Sequence, residues 1–200
     1  IVKATPKGES LKLEVAEKVK FGFSGRVITA HPSKPLLYVT ATGGDPGKVP
    51  GAVVFLNKDG SYQKHQKVNF NDGACYLSLD KENRHILGVS YGNGRLNVYP
   101  LNDQGIPGKA VTTIDEGKKE AHCVLLPPDG KNVYIPYLKG NLANLQYAYD
   151  GNTGKVTQLK PKDSKLPLGS GPRHLAHHPT LPMASFSNQQ GIWLSSHRRD

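Results

Sequence analysis

One pattern recurs four times along the chain and limits the fold more than any single motif does. Each copy runs a short apolar strand, a polar turn rich in Pro or Asp, and a second apolar strand: Arg26–Thr40, Cys75–Ser90, His122–Pro136 and Arg173–Ser187. The residues that open the turns are His31, Asp80, Pro127 and His178, at intervals of 49, 47 and 51. A third strand follows each copy after a Gly-containing loop, starting at Gly51, Gly94, Gly140 and Gly191. A more polar fourth strand follows in three copies, from Ser61, Lys109 and Lys155. Turn chemistry separates these last two strands, as in Asn57–Gly60, Asn102–Gly105 and Asp150–Gly154.

Four strands in a unit of roughly 40–50 residues is the arithmetic of a β-propeller blade. The inner strands are apolar on both faces, as at Val124, Leu125 and Leu126, which suits a sheet sandwiched between two others. The expected fold is therefore all-β, a β-propeller of four-stranded antiparallel blades, with a β-sandwich of accidental periodicity as the competing architecture. The repeats fall at 21–70, 71–117, 118–164 and 165–200, and 11–20 is expected to be a lone outer strand. A closed four-bladed ring and a larger ring cut short both fit.

Composition supports this frame. The chain has 22 Gly and 15 Pro in 200 residues, and these are the two poorest helix formers. No apolar run approaches the roughly 18–20 residues of a spanning helix, so no membrane partner is expected. The two cysteines cannot act as a disulfide framework. Cys75 and Cys123 fall one register position apart in adjacent repeats, so they are expected to face opposite ways as free buried thiols. The chain begins at Ile1 without Met, and Ile1–Ser10 lacks the apolar core of a signal peptide. The compartment stays open, with the cytoplasm favoured, and so does the oligomeric state.

The net charge is +10, which raises the local concentration of anions. The lysines are scattered through turns and outer strands without the basic patch and interleaved aromatics of a nucleic-acid binder. A small anionic metabolite is the expected partner, and nucleic acid is not. The first strand of a propeller blade lines the channel and the second returns antiparallel, so the start of one and the end of the other share a mouth. Five residues before each turn anchor stand Arg26, Cys75, His122 and Arg173. At the ends of the second strands stand Ala41, Tyr91, Tyr137 and Asn188, with Gln189 beside the last. Arg26, Tyr91, Tyr137 and Asn188 are thus candidate ligand-binding residues on one rim, suited to a carboxylate or phosphate because Arg offers forked donors.

Other constellations are weak. His174, His177 and His178 match no common zinc spacing, and alternation puts His177 on the face opposite the other two, so no metal and no cofactor are expected. Gly92–Arg95 lacks the spacing and the Lys of a phosphate-cradling loop. Trp193 sits in a third strand and is expected to pack between blades.

The stretch Gly169–Ala176, with Gly-Pro-Arg-His at its centre, followed by His178-Pro179, resembles the lactonase-type seven-bladed propellers. That family includes bacterial 6-phosphogluconolactonase and fungal 3-carboxy-cis,cis-muconate lactonising enzyme. Ala121–Val124 before Pro128–Gly130, Tyr91–Gly94 before a Val-Tyr-Pro strand, and Tyr149–Lys155 agree with it. The resemblance implies seven blades, about 350 residues at this period, so a fragment of about four blades is expected. It also implies a metal-independent lactonase acting on an anionic sugar lactone such as 6-phosphogluconolactone, or a related muconate-lactonising activity. His122 would then serve as acid or base and Arg173 would hold the anionic group or the oxyanion. Gln189 stands where the family commonly has a Glu, and Tyr137-Leu138-Lys139 where it has Asp-Leu-Gly. Those two departures favour the alternative, a non-catalytic propeller that binds a ligand or protein at the same mouth.

Overall fold

The turns that anchor the repeat are held by side-chain acceptors, which explains their composition. We describe a computed structural model covering residues 1–41, 43–45, 47–138 and 143–198, without the side chains of 143 and 162–165. Lys139 and Gly140, on which two of the sequence expectations fall, lie outside the described residues. His31 accepts at Nδ1 from the amides of Ser33 (3.2 Å) and Lys34 (3.1 Å). Asp80 Oδ1 does the same for Arg84 (2.7 Å) and His85 (3.0 Å), and His178 Nδ1 for Thr180 (3.2 Å) and Leu181 (2.9 Å). Each turn thus has two backbone donors satisfied by one side chain. Pro127 has no such acceptor, and its turn closes through Gly130 N–H on the Pro127 carbonyl.

These turns connect antiparallel sheets. A hairpin of β1 (Val2–Lys7) and β2 (Ser10–Val15) comes first. The first repeat forms a four-stranded sheet from β3 (Gly25–Ala30), β4 (Leu36–Ala41), β5 (Val49–Leu56) and β6 (Tyr62–Phe70). The second forms another from β7 (Ala74–Leu79), β8 (His85–Ser90), β9 (Leu96–Pro100) and β10 (Thr112–Ile114). The third holds β11 (Asn132–Pro136), β12 (Ala143–Asp150) and β13 (Lys155–Lys165); the fourth holds β14 (Pro172–His177), β15 (Met183–Asn188) and β16 (Trp193–Arg198). Among the described residues no helix is long and apolar enough to cross a membrane.

The four repeat sheets stack face to face in chain order through successive apolar clusters. Tyr38, Val49, Val53 and Phe70 meet Leu77, Ile86 and Tyr99 between the first and second. Leu87, Val89, Leu96 and Val98 meet Val133, Ile135, Leu145 and Tyr147 between the second and third. Cys123 meets Leu175, Ala184 and Phe186 between the third and fourth. Serial packing of this kind is propeller-like and differs from a sandwich, in which two sheets share one core. Both thiols are free and buried, but the expected opposite facing is not observed: Cys75 packs between the second and third sheets and Cys123 between the third and fourth, so each meets the sheet that follows its own.

Three other expectations are corrected. The third repeat, expected to have four strands, has three, whereas the first two have four and the fourth has the three its sequence provides. The segment expected as the inner strand of the third repeat, from His122, is reduced to two bridges, Ala121 to Tyr137 and Leu125 to Tyr134. His122 N–H reaches the Pro136 carbonyl at 3.1 Å, but Pro136 has no N–H to return, so the ladder is one-sided there. The strand within 11–20 is not alone: Ser10–Val15 pairs with Val2–Lys7. Val2, Ala4 and Pro6 lie opposite Val15, Leu13 and Leu11, so one face of this exposed hairpin is apolar.

The His31 anchor makes stability pH-dependent. Two amides donate to His31 Nδ1, so that nitrogen must be unprotonated, and burial, then Lys34, lowers the pKa. The unfolded chain binds the proton more readily, near the ordinary value of about 6.5. His31 therefore adds stability that is full above that value and is lost as pH falls below it. Thermal melts of wild type and His31→Asn between pH 7 and 5 should show a shallower acid decline in the variant. Parallel declines would remove His31 as a cause.

Candidate active site

One irregularity recurs at the same place in every repeat sheet. The register slips by one residue between Gly25 and Val27, between Ala74 and Tyr76, and between Pro172 and His174. The extra residues are Arg26, Cys75 and Arg173. In the third sheet four steps from Ala121 to Leu125 face three from Tyr137 to Tyr134, and the repeat places His122 at that position. A β-bulge of this kind frees one residue from the ladder and re-aims its side chain. The four positions aligned from sequence are thus the four bulge positions.

The bulges bring His122 and Arg173 together. Arg173 Nε donates to His122 Nε2 at 3.0 Å. A guanidinium can only donate, so the neutral imidazole carries its proton on Nδ1, an atom that is buried and has no hydrogen-bond partner among the described residues. Burial first, then the Arg173 charge, then His174, pushes His122 down to about 4. At neutral pH it is therefore an uncharged ring. The His174 ring meets it edge to face at 4.9 Å and the Tyr91 ring at 5.8 Å, while Tyr76 lies 5.9 Å from His174. Arg26 is exposed, and its charge reaches both His122 and Cys75.

The Gly-Pro-Arg-His motif is shaped by the turn after β15. Gly171 has φ 58°, and a Cβ there would lie 2.6 Å from Cγ of Gln190. Gln189 N–H donates to the Gly171 carbonyl (2.8 Å) and Gly191 N–H to that of Ser170 (3.2 Å). Arg173, Asn188, Gln189 and Trp193 are among the residues lining a cavity of about 440 Å³ beside that turn. Asn188 is buried, bonds Ser195 Oγ through Nδ2 at 3.0 Å, and leaves Oδ1 without a partner among the described residues. Gln189 is exposed and carries an amide, so it can donate and accept but cannot exchange a proton.

Not every candidate reaches this space. Tyr137 is 1% exposed and packs in the core between the second and third sheets, its hydroxyl donating to the Gly94 carbonyl at 2.8 Å. It holds the loop that carries Tyr91 and presents no free group to a ligand. Trp193, expected between blades, is 37% exposed. Sequence spacing marks His174 only as a poor metal candidate, yet its ring lies against His122; its position next to Arg173 in the motif is the available signal. Tyr76 gave none beyond following Cys75. His178 is committed to its turn and His177 packs on Tyr134. Among the described residues no three His, Cys, Asp or Glu side chains are grouped to hold a metal ion.

A family model described as "Lactonase, 7-bladed beta-propeller" matches residues 1–189. The chain is 30% identical over 131 residues to the 6-phosphogluconolactonase of Cronobacter sakazakii, covering 66% of this chain and 38% of that protein. It is 32% identical over 104 residues to that of Klebsiella pneumoniae, covering 52% and 30%. The aligned parts thus span well under half the length of these relatives. Among solved structures, the periplasmic gluconolactonase of Pseudomonas aeruginosa matches with TM-score 0.76 at 17% identity, over 97% of this chain and 62% of that one. The Cps50 (Swd1) β-propeller domain of Myceliophteria thermophila matches with TM-score 0.68 at 10% identity, over 100% and 64%. At these identities the structural matches speak for the propeller fold alone.

Proposed function

Since the chain belongs to the lactonase family of seven-bladed β-propellers, we propose that its rim binds an anionic sugar lactone, such as 6-phosphogluconolactone, and hydrolyses it without a metal. A related carboxylated muconate lactone would use the same groups. The observation that carries this is the 3.0 Å bond between Arg173 and an uncharged His122 at the bulge layer. Arg173 has its remaining guanidinium donors for a carboxylate, a phosphate or the developing oxyanion, and Arg26 adds charge on the same side. Water attacks the lactone carbonyl, the ring C–O bond breaks, and the leaving alkoxide takes up a proton. An anion that draws the Arg173 guanidinium away from Nε2 frees the one basic nitrogen of the neutral ring and offsets one of the charges that depress it, so that Nε2 takes a proton from the attacking water and passes it to the leaving alkoxide. Asn188 Oδ1 and Gln189 supply polar contacts beside Arg173.

A non-catalytic binder at the same mouth is the second reading, and Gln189 in place of the family Glu favours it. Hydrolysis of 6-phosphogluconolactone by the full-length protein separates the two. Wild type should exceed background by orders of magnitude and His122→Ala should fall towards it. Equal background rates for both would end the phosphosugar-lactonase proposal. A large gain in Gln189→Glu would identify the rim as an active site that has lost its carboxylate.

A further inference from the structure

Cys75 occupies the same bulge position as Arg26, His122 and Arg173, yet it is buried while Arg26 is exposed and the other two are half-buried. Its sulfur lies 3.1 Å from the Ala121 carbonyl oxygen, 3.4 Å from that of Val89 and 3.8 Å from that of His122. It therefore joins the second sheet to the peptide that leads into His122. We propose that Cys75 is a positioning residue: its thiol donates to the Ala121 carbonyl and so fixes where the third inner segment presents His122 to Arg173. The proposal rests on the reading of His122 and Arg173 as the working pair.

Two further observations support it. The third inner segment has two bridges and a one-sided rung on Pro136 in place of a full ladder, and Glu120 N–H also reaches the Tyr91 carbonyl at 2.8 Å, so contacts with the second sheet share in holding it. The preceding sheet shows the same device one repeat earlier. Thr40 Oγ1 donates to the Ala74 carbonyl at 3.3 Å, and Ala74 precedes the bulge at Cys75 as Ala121 precedes His122. In both cases a side-chain donor from one sheet pins the residue before the bulge of the next. Burial pushes the Cys75 thiol up to about 11, so at neutral pH it keeps its proton and acts as a donor; a nucleophilic or redox role would need the thiolate.

The test uses Cys75→Val, which fills the space without a donor, Cys75→Ala, and Cys75→Ser, which restores a donor. The first readout is the His122 titration followed by NMR, with its signal assigned by its loss in His122→Asn. Val and Ala should move the His122 midpoint upwards from about 4, and Ser should return it to the wild-type position. The second readout is lactone turnover: kcat should fall about tenfold in Val and Ala with KM within about twofold, as expected of a misplaced reacting group. An unchanged His122 midpoint in Val and Ala would overturn the proposal, as would a Ser variant as perturbed as Ala. If the midpoint moves as stated while no variant and no wild type turns over lactone, the positioning role stands and the lactonase reading falls.

Discussion

Arg173→Ala is expected to abolish most of the turnover of an anionic lactone, lowering kcat/KM by about 10²- to 10³-fold, the usual cost of removing a donor that stabilises developing charge. Two effects add. The substrate loses the forked donor, and His122 Nε2 loses the guanidinium that sets its tautomer. The sign of the accompanying titration follows from the causes of the shift. Burial, the largest cause, stays, whereas the Arg173 charge, the second, goes. The His122 midpoint should therefore rise from about 4 without reaching the ordinary value of about 6.5. Arg173→Lys keeps a charge but not the planar fork, so it should recover part of the titration behaviour and little of the rate. An Arg173→Ala protein with wild-type kcat/KM would remove Arg173 from the chemistry altogether.

The second large effect is on stability. Gly94 has φ 72°, and a Cβ added there would collide with the Lys118 carbonyl and come within 3.2 Å of the Tyr137 ring. Its own carbonyl accepts from Tyr137 at 2.8 Å, so neither side can retreat. Gly94→Ala is expected to cost about 3 kcal/mol, the sum of a left-handed backbone penalty and overpacking against backbone. For a chain of this size that is a fall in Tm of about 6–12 °C by calorimetry. Gly92→Ala, two residues earlier, has open space at its Cβ and should stay within about 0.5 kcal/mol of wild type. A Gly94→Ala loss as small as that of Gly92→Ala would contradict the close approach of the second-sheet loop to Lys118.

Much of the repeat is legible in the sequence because its turns have a local chemical cause. His31, Asp80 and His178 each satisfy two amides of their own turn, so the spacing of these residues reports the spacing of the sheets. The bulges lie at a constant distance from those anchors, which is why Arg26, Cys75, His122 and Arg173 align without coordinates. Side-chain direction at a bulge is another matter. The slip in register cancels strict alternation, and only packing decides that Cys75 turns inwards while Arg26 stays exposed. Tyr137 shows the same limit, since its place opposite Ala121 is readable but its commitment to Gly94 depends on a loop from another sheet. The first hairpin is illegible in the sequence for a third reason. Val2, Ala4 and Pro6 are too few and too small to read as a strand, and their apolar face emerges only when they are paired with Leu11, Leu13 and Val15.

The most direct test of the anion-binding rim is an NMR titration of the full-length protein at pH 7 with 6-phosphogluconate, the ring-opened product, observed at the His122 imidazole. The account predicts a saturable shift at His122, a smaller one at His174, and the loss of both in Arg173→Ala. A His122 signal that stays put while the ligand binds, or one that moves equally in Arg173→Ala, would contradict it.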